Sequence, residues 1–328
     1  MSLTSHLSNL RDPVRVWIDA RFPNIGALVA DSRRSLRDAT TVCAIDGRPP
    51  STSGMAIDYR IRYAFAVTPP AELIADRGAA NVLSNLLLEI DPEHPALWRM
   101  VGGTGLGVQQ AVDPLTPGLP PNAVSGFFAR LADRVPVIAP VGRALDDAAE
   151  RELSRYCFVL GLFEEVFRTG TVAPGSLLNA MGPTTTVDEF LGAIPDIWVE
   201  DLAQLAQLFL NAFGDRFGRP AVLNPAFAQS RAVGGADADL ISDGTLLEIK
   251  TTINPRIDGA WIRQLLGYLL LDTMGEFDVR SLGLYLARQG RLLEWPLPDA
   301  LDTIAGKPVD LSAVRLEFAT FLGTLGDA

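Results

Sequence analysis

Asp239, Glu248 and Lys250 lie within one short stretch, residues 234 to 250, which reads GGADADLISDGTLLEIK. The central Asp-Gly pair predicts a two-residue hairpin turn, because a type I′ turn needs positive φ at both central positions. With that turn, Asp239 faces Glu248 across the hairpin, and period-2 alternation puts Lys250 on the same face. Like charges directly opposed destabilise a sheet, so we expect a divalent cation held by both carboxylates.

The same residues also have a simpler interpretation. The register puts Asp237 across from Lys250, so acidic and basic side chains share one face of the hairpin. A solvated, charged face is common in antiparallel hairpins. On the hairpin alone, a solvated face and a metal site are equally supported.

A helix and two strands are predicted after the hairpin. Asp258 is a candidate N-cap, and the Leu-rich segment 259–272 is expected to be helical. Gln264 and Tyr268 are four residues apart, so they share one helical face, although packing alone would also explain such a pair. Two strands separated by a Gln-Gly turn are predicted within 282–296.

This ordered set resembles the PD-(D/E)XK nuclease superfamily, and more narrowly its RecB-like branch. The matching residues are Asp239 on one strand, Glu248-Ile249-Lys250 on the next after a tight turn, and Gln264-x-x-x-Tyr268 on the following helix. The resemblance covers about residues 221 to 297. It implies a metal-dependent nuclease that hydrolyses DNA phosphodiester bonds in repair, restriction or defence, with the glutamine and tyrosine orienting substrate or metal-bound groups.

The resemblance also implies a metal site and a role for the lysine. Asp239, Glu248 and the main-chain carbonyl of Ile249 would bind Mg²⁺ or Mn²⁺, and Lys250 would assist the nucleophilic water. Composition lends this some support, because Lys250 and Lys307 are the only lysines among 28 basic residues. A compact ammonium can approach a water or a developing phosphate charge more easily than a guanidinium.

Two further carboxylates are alternative candidates for an additional metal ligand. RecB-like nucleases often carry an upstream G-x-x-x-H whose His binds metal, and here the spacing from Gly54 leads to Asp58 instead. The alternation of apolar and polar residues around Asp58 also predicts an ordinary half-buried strand. Glu164 lies near the end of a long helix predicted over 144–168, and many PD-(D/E)XK proteins add such a helix carboxylate.

The expected fold class is α/β. A PD-(D/E)XK (restriction-endonuclease-like) core, with a mixed sheet flanked by helices, is predicted over residues 144–328, after a mainly helical N-terminal region over residues 1–143. A helix over 196–213 and the strand after it are expected to supply the first helix and strand of the core. Residues 102–107, GGTGLG, superficially suggest a phosphate loop but lack the Walker lysine, so a flexible turn is expected.

Composition indicates a globular protein. The chain has 328 residues, of which 48% are apolar and 20% charged. Two cysteines, with His6 and His94 as the only histidines, argue against a disulfide framework and a zinc site. There is no run of about 18 apolar residues and no signal-peptide pattern, so a cytoplasmic protein without membrane association is expected.

The charge balance argues against strong, autonomous binding to DNA. The net charge is −11 and the pI is about 4.7, whereas non-specific DNA binding depends on Lys and Arg. An acidic nuclease would have to concentrate arginines near the site, or take basic surface from a protein partner or a second copy. Six arginines surround the motif, as a basic rim or as ordinary solvated residues: Arg231, Arg256, Arg263, Arg280, Arg288 and Arg291.

Two other functions are alternatives to the nuclease. One is a nuclease fold without activity that serves as a binding module, and the other is a regulatory subunit of a nucleic-acid-processing complex. The acidic balance suits the regulatory subunit. The intact set of Asp239, Glu248, Lys250 and Gln264 weighs against an inactive fold.

Overall fold

The computed structural model describes residues 2–43, 45, 51–66, 73–80, 82, 123–139, 141–182 and 184–326. The chain divides into two compact units. The first, here called the sheet unit, combines Met1–Val42 with Gly218–Ala328. The second, the helical unit, is Cys43–Phe217 and is inserted in sequence between the two parts of the first.

This division differs from the expected boundary between residues 143 and 144. Residues 1–42 belong with the sheet, and residues 144–217 belong with the helical unit. The helix Asp196–Phe213, expected in the nuclease-like core, is therefore part of the other unit. The reason is long-range pairing that chain order does not reveal, such as the 3.1 Å hydrogen bond from the Leu3 N–H to the Gly235 carbonyl.

Three helices open the sheet unit. They are α1 (Leu3–Ser8), α2 (Pro13–Arg21) and α3 (Gly26–Ser35). Asp12 caps α2, because its Oδ1 accepts the Val14 N–H at 2.9 Å, and a proline occupies the first turn. The apolar faces of all three helices enter the core of the sheet unit.

The described part of the helical unit is built from helices. These are α4 (Thr52–Phe65), α5 (Ala123–Ile138), α6 (Asp147–Thr169), α7 (Val187–Gly192) and α8 (Asp196–Phe213), with residues 74–80 also helical and 3₁₀ turns at Leu177–Ala180 and Gly214–Arg216. The long helix expected over 144–168 is α6, and α4 packs along it. His94 and the glycine-rich segment 102–107 lie outside the described residues.

The segment around Asp58 is the helix α4, so the half-buried strand predicted there is wrong. The apolar residues that alternate along it are buried, but Arg60 and Arg62 between them are buried as well. Arg60 donates two hydrogen bonds of 2.7 Å to Glu150, and Arg62 donates one to Asp58. Ion pairing allows charged residues to be buried, so α4 is buried on several faces. The spacing of its apolar residues therefore does not show the 3.6-residue period of a helix.

A five-stranded mixed sheet forms the centre of the sheet unit, so the α/β class is confirmed. Its strands, in spatial order, are β1 (Ala221–Leu223), β2 (Leu240–Ser242), β3 (Thr245–Lys250), β4 (Ser281–Leu286) and β5 (Arg291–Pro296). Only β3 and β4 run parallel, and helix α9 (Gly259–Leu271) connects them. Short 3₁₀ turns lie at Ser230–Val233 and Ala287–Gln289.

The predicted hairpin joins β2 to β3. Asp243 and Gly244 have φ values of 49° and 75°, which the type I′ turn requires. Ser242 pairs with Thr245, and the predicted register holds as far as Leu240, the first residue of β2. The turn chemistry therefore fixes which residues of β2 and β3 lie opposite each other.

Two helices close the sheet unit, α10 (Leu297–Ala305) and α11 (Leu311–Gly326). The Phe318 ring of α11 lies 4.9 Å from the Trp17 ring of α2, so the two ends of the chain meet in one core. Among the described helices, none is long and apolar enough to cross a membrane.

Candidate functional site

Asp239 stands at the point where β2 separates from β3. The ladder ends at the Leu240–Leu247 pair, so the expected main-chain pairing of Asp239 with Glu248 does not form. Instead, Oδ2 of Asp239 accepts the Ile249 N–H at 2.6 Å. The N–H and C=O of one strand residue point toward the same neighbour, so the Ile249 carbonyl faces the same edge as the Asp239 carboxylate.

Glu248 and Lys250 form a buried ion pair on one face of β3. Nζ of Lys250 lies 2.6 Å from Oε1 of Glu248, and the Glu248 residue is only 4% exposed. The solvated-face interpretation of the hairpin is therefore wrong for Glu248. The lysine side chain keeps 20% of its surface exposed, so solvent reaches the pair from the lysine side.

Helix α9 brings two more of the predicted residues to this pair. Asp258 caps the helix as expected, with Oδ1 accepting the Ala260 N–H at 2.9 Å. Oε1 of Gln264 accepts from Lys250 Nζ at 3.1 Å, and its Nε2 donates to the Tyr268 hydroxyl at 2.7 Å. The Gln264 amide thus links the lysine on the strand to the tyrosine one turn along the helix.

Tyr268 is buried in negatively charged surroundings. The residue is 4% exposed, and its ring stacks on Phe227 with centroids 5.6 Å apart. Burial, followed by the negative charges of Glu248 and Asp239, raises the pKa of Tyr268 above its ordinary value. The hydroxyl therefore stays protonated and neutral, and all five predicted side chains belong to one electrostatic cluster.

Asp237 has a different position from the one expected. Its main chain bridges to Ala226 and continues the β1–β2 ladder, so it is not held opposite Lys250 by the hairpin. Its negative charge nevertheless contributes to the raised pKa of Tyr268. The loop before β2 therefore adds a third carboxylate to the surroundings of the tyrosine.

The oxygen atoms of the site suit a hard divalent cation. Asp239 and Glu248 supply carboxylates, and Ile249 supplies a carbonyl on the Asp239 side. The described residues contain no group of three or more His, Cys, Asp or Glu that could hold a metal. Mg²⁺ often binds through one or two carboxylates and takes its other ligands from water and substrate phosphate, so two carboxylates and a carbonyl are compatible with it.

Asp58 and Glu164, the two candidates for an additional metal ligand, both lie in the helical unit. Arg62 pairs with Asp58, and Nε of Arg168 donates to Glu164 at 2.7 Å. Burial and then the charge of Glu164 raise the pKa of Tyr59. Burial by itself lowers the pKa of Arg62, but Asp58 and further partners outweigh it and the net shift is upward. Ion pairing with arginine thus gives each carboxylate a structural role.

The six arginines near the motif do not form one rim. Arg288 is fully buried and donates to the carbonyls of Thr251 and Val42, both at 3.2 Å. Arg263 pairs with Asp19 at 2.6 Å. The other four are exposed: Arg231, Arg256, Arg280 and Arg291. Of these, the side chain of Arg280 contacts the hairpin turn.

Sequence reasoning missed Trp261. Nζ of Lys250 lies 5.7 Å from the centroid of its ring, within cation–π range. The indole is half-buried, and it packs in part against the core. Its spacing in the sequence could have identified it. Trp261 precedes Gln264 by three residues, so the two share one face of α9.

Comparisons with known proteins add no constraint. No protein-family model, curated protein or solved structure matches this chain. A functional proposal therefore depends on the contacts described above and on the ordered motif that they bring together.

Proposed function

We propose that the sheet unit is a metal-dependent nuclease of the PD-(D/E)XK kind that hydrolyses phosphodiester bonds in DNA. The observation that carries the proposal is a continuous series of contacts. Glu248 contacts Lys250, Lys250 contacts Gln264, and Gln264 contacts Tyr268. Both carboxylates also act on the same tyrosine hydroxyl. Residues that the motif separates by up to 20 positions, from Glu248 to Tyr268, thus meet at the C-terminal end of β3, the central strand of the sheet.

The oxygen ligands would be Asp239, Glu248 and the carbonyl of Ile249. A bound Mg²⁺ or Mn²⁺ lowers the pKa of a water and stabilises negative charge on the scissile phosphate. The hydrogen bond from the Ile249 N–H holds the Asp239 carboxylate against β3, so that carboxylate needs little reorganisation to bind a cation.

Lys250 is placed to act on the attacking water or on the phosphate. An ammonium carries three N–H donors, and the contacts with Glu248 and Gln264 use two of them. The third can be directed at a water or at a phosphate oxygen. An arginine in this position would be bulkier and planar, and could not replace the point charge between the two partners.

Gln264 and Tyr268 would serve mainly to position Lys250. The Gln264 oxygen faces the ammonium because its amide nitrogen is engaged by the tyrosine hydroxyl. Tyr268 is fixed in turn by stacking on Phe227. The helix therefore supplies a hydrogen bond that holds the lysine ammonium beside Glu248.

The net negative charge of the chain, which disfavours DNA binding, is concentrated in the helical unit. The sheet unit has 16 Lys and Arg against 18 Asp and Glu, a net charge of −2. The helical unit has 12 against 21, a net charge of −9, and the two sum to −11. The unit that carries the proposed site is thus close to neutral.

The test is hydrolysis of linear, circular and single-stranded DNA with Mg²⁺ or Mn²⁺. We expect Lys250→Ala and Glu248→Gln each to lower the rate by about 100-fold or more, as loss of a group that stabilises the transition state does. Lys307→Ala is a matched control, because Lys307 is the only other lysine and is exposed. It should retain the wild-type rate.

The same assay separates the rival functions. A binding module would bind DNA without hydrolysing any of the three substrates, and Glu248→Gln would leave that binding unchanged. Equal rates for wild type, Lys250→Ala and Glu248→Gln would show that any hydrolysis arises elsewhere or from a contaminant. Either result would overturn the proposed nuclease.

A further inference from the structure

Asn224 lies directly opposite Asp239, one residue beyond the end of the β1–β2 ladder. The ladder ends at the pair Leu223 and Leu240. Its register continues past that pair, because the Asn224 N–H donates to the Asp239 carbonyl at 3.2 Å and Asp237 forms its bridge in the same register. Directly opposed residues have Cα atoms about 4.5–5.5 Å apart. The Asn224 side chain therefore branches from the main chain next to the residue whose carboxylate is proposed to bind a cation.

The backbone of Asn224 has a left-handed conformation, with a φ of 47°. Among the described residues, the only other non-glycine residues with positive φ are Asp243, in the hairpin turn, and Asp278. Asparagine tolerates this conformation better than most residues, but glycine adopts it without any steric cost. Strained backbone of this kind is often found at functional sites. The conformation alone would suit glycine, so it does not account for the side-chain amide.

The side-chain oxygen of Asn224 has no partner. Its Oδ1 is excluded from solvent and accepts no hydrogen bond among the described residues. Most buried polar atoms in proteins are paired, because an unpaired one loses its contact with water and gains nothing in return. Amide oxygens, like carboxylate oxygens, are ligands that Mg²⁺ and Mn²⁺ accept. A cation that contacts both residues would therefore give this oxygen the partner that it lacks.

We infer that Asn224 supplies a further oxygen ligand, through Oδ1, to the divalent cation proposed at Asp239. The inference rests on the proposed metal site and adds a residue that the ordered motif does not contain. The ligands would then come from positions adjoining β1 and β2 as well as from β3. An amide is neutral, so it adds an oxygen without adding a further like charge beside the carboxylates.

The test is Mn²⁺ binding by the full chain, measured by electron paramagnetic resonance of the free ion in the absence of DNA. No hydrolysis is involved, so the result does not depend on the nuclease reaction. Binding at the site is identified as the part that Asp239→Asn removes. We expect Asn224→Gly to weaken that binding by about 10-fold to 100-fold, as loss of a group around a metal does. Asn224→Asp should bind at least as tightly as wild type, because it keeps an oxygen and adds a negative charge.

Asp278→Gly is the matched control for the backbone. Asp278 also has a positive φ, of 44°, but it is exposed and lies in the connection between α9 and β4. Because glycine adopts the left-handed conformation freely, both glycine variants should fold. Asp278→Gly should retain the wild-type affinity for Mn²⁺.

Three results would overturn the inference. Wild-type affinity of Asn224→Gly would show that the amide is not a ligand, and would leave the metal site at Asp239 in place. Equal weakening in Asn224→Gly and Asn224→Asp would show that the position matters for the backbone and not as an oxygen donor. A wild type that loses no Mn²⁺ binding on Asp239→Asn would remove the cation site itself. The proposed nuclease fails by a different result, which is absence of DNA hydrolysis by a wild type that binds Mn²⁺ at Asp239.

Discussion

At the scale of single residues, the site depends on how each carboxylate is held. Asp239 accepts from the Ile249 N–H, and Glu248 pairs with the Lys250 ammonium. A backbone amide and an ammonium both stabilise the ionised form of a carboxylate. Both carboxylates are thus held at β3, in an arrangement that a bound divalent cation would stabilise further.

This arrangement predicts thermal stabilisation by metal. Mg²⁺ or Mn²⁺ should raise the Tm of wild type, by an amount equivalent to about 1.4 kcal/mol when the metal is at ten times its Kd. Asp239→Asn should lose this response while still folding, because its side-chain oxygen can accept the Ile249 N–H. Differential scanning calorimetry with and without metal measures both.

Asp258→Asn is the control for that measurement. Asp258 is an exposed N-cap, and asparagine caps a helix as well as aspartate does, so the metal response should be retained. A metal response of wild-type size in Asp239→Asn would show that the cation binds elsewhere.

Much of this site follows from local sequence rules. The Asp-Gly turn and period-2 alternation place Glu248 and Lys250 on one face, and the helical repeat places Gln264 and Tyr268 on another. The contact between those two faces depends on the crossover of α9, which local rules do not describe. Trp261 was missed for this reason, since its position beside Lys250 appears only when the helix is packed on the strand.

At the scale of elements, α9 is held in place by α1. Gly267 lies on α9 between the two predicted site residues of that helix, and the Leu3 side chain packs directly on it. A Cβ added at Gly267 would come 2.8 Å from Cδ2 of Leu3. The six-residue helix near the start of the chain therefore supports the helix of the candidate site.

Gly267→Ala should lower the free energy of unfolding. Overpacking a core position costs about 1–3 kcal/mol, which outweighs the helix propensity gained from alanine. Adding Leu3→Ala should recover part of the loss from overpacking, because the Leu3 side chain is the group that the new Cβ meets. Urea unfolding of the single and double variants measures the coupling.

Gly323→Ala should raise the free energy of unfolding, although the same substitution at Gly267 should lower it. Gly323 is an exposed residue of α11, and no atom lies within 4 Å of an added Cβ. Helix propensity alone should then stabilise the protein by up to about 1 kcal/mol. If Gly267→Ala proved as stable as Gly323→Ala, the close packing of α1 on α9 would be wrong.

The elements also show where sequence reasoning works and where it fails. The turn, β3, α9 and α6 were predicted, because caps, turn residues and a clear apolar period mark them. The helix α4 was not predicted as a helix. Its ion-paired arginines are buried as well as its tyrosines, so the pattern of apolar residues does not show a helical period. The division into units was also missed, because residues 1–42 join the sheet through contacts remote in sequence.

At the scale of the whole molecule, both units contain buried tyrosines whose pKa values are raised. All five tyrosines of the chain lie among the described residues, and burial raises the pKa of each. Tyr156 is raised to about 12, and the other four are raised further or well above the ordinary value. Three tyrosines belong to the helical unit and two to the sheet unit.

Buried tyrosines make stability fall at alkaline pH. Above the ordinary pKa of about 10, the unfolded chain loses phenolic protons that the folded chain keeps, so the unfolded state binds fewer protons. The free energy of unfolding must then decrease as pH rises, by up to about 1.4 kcal/mol per pH unit for each tyrosine. The contribution of each protonated tyrosine to stability is therefore complete below about pH 10 and is lost as the pH rises above it.

Tyr63→Phe isolates one of these contributions. The Tyr63 hydroxyl is buried, and it has no hydrogen-bond partner among the described residues, so its removal should cost little stability at neutral pH. At alkaline pH the variant should lose stability less steeply than wild type, because one fewer proton separates the two states. Urea unfolding at about pH 8 and about pH 11, with tyrosinate absorbance as a second probe, measures the difference. An identical slope for the two proteins would mean that Tyr63 ionises as readily in the folded chain as in the unfolded one, contrary to its raised pKa.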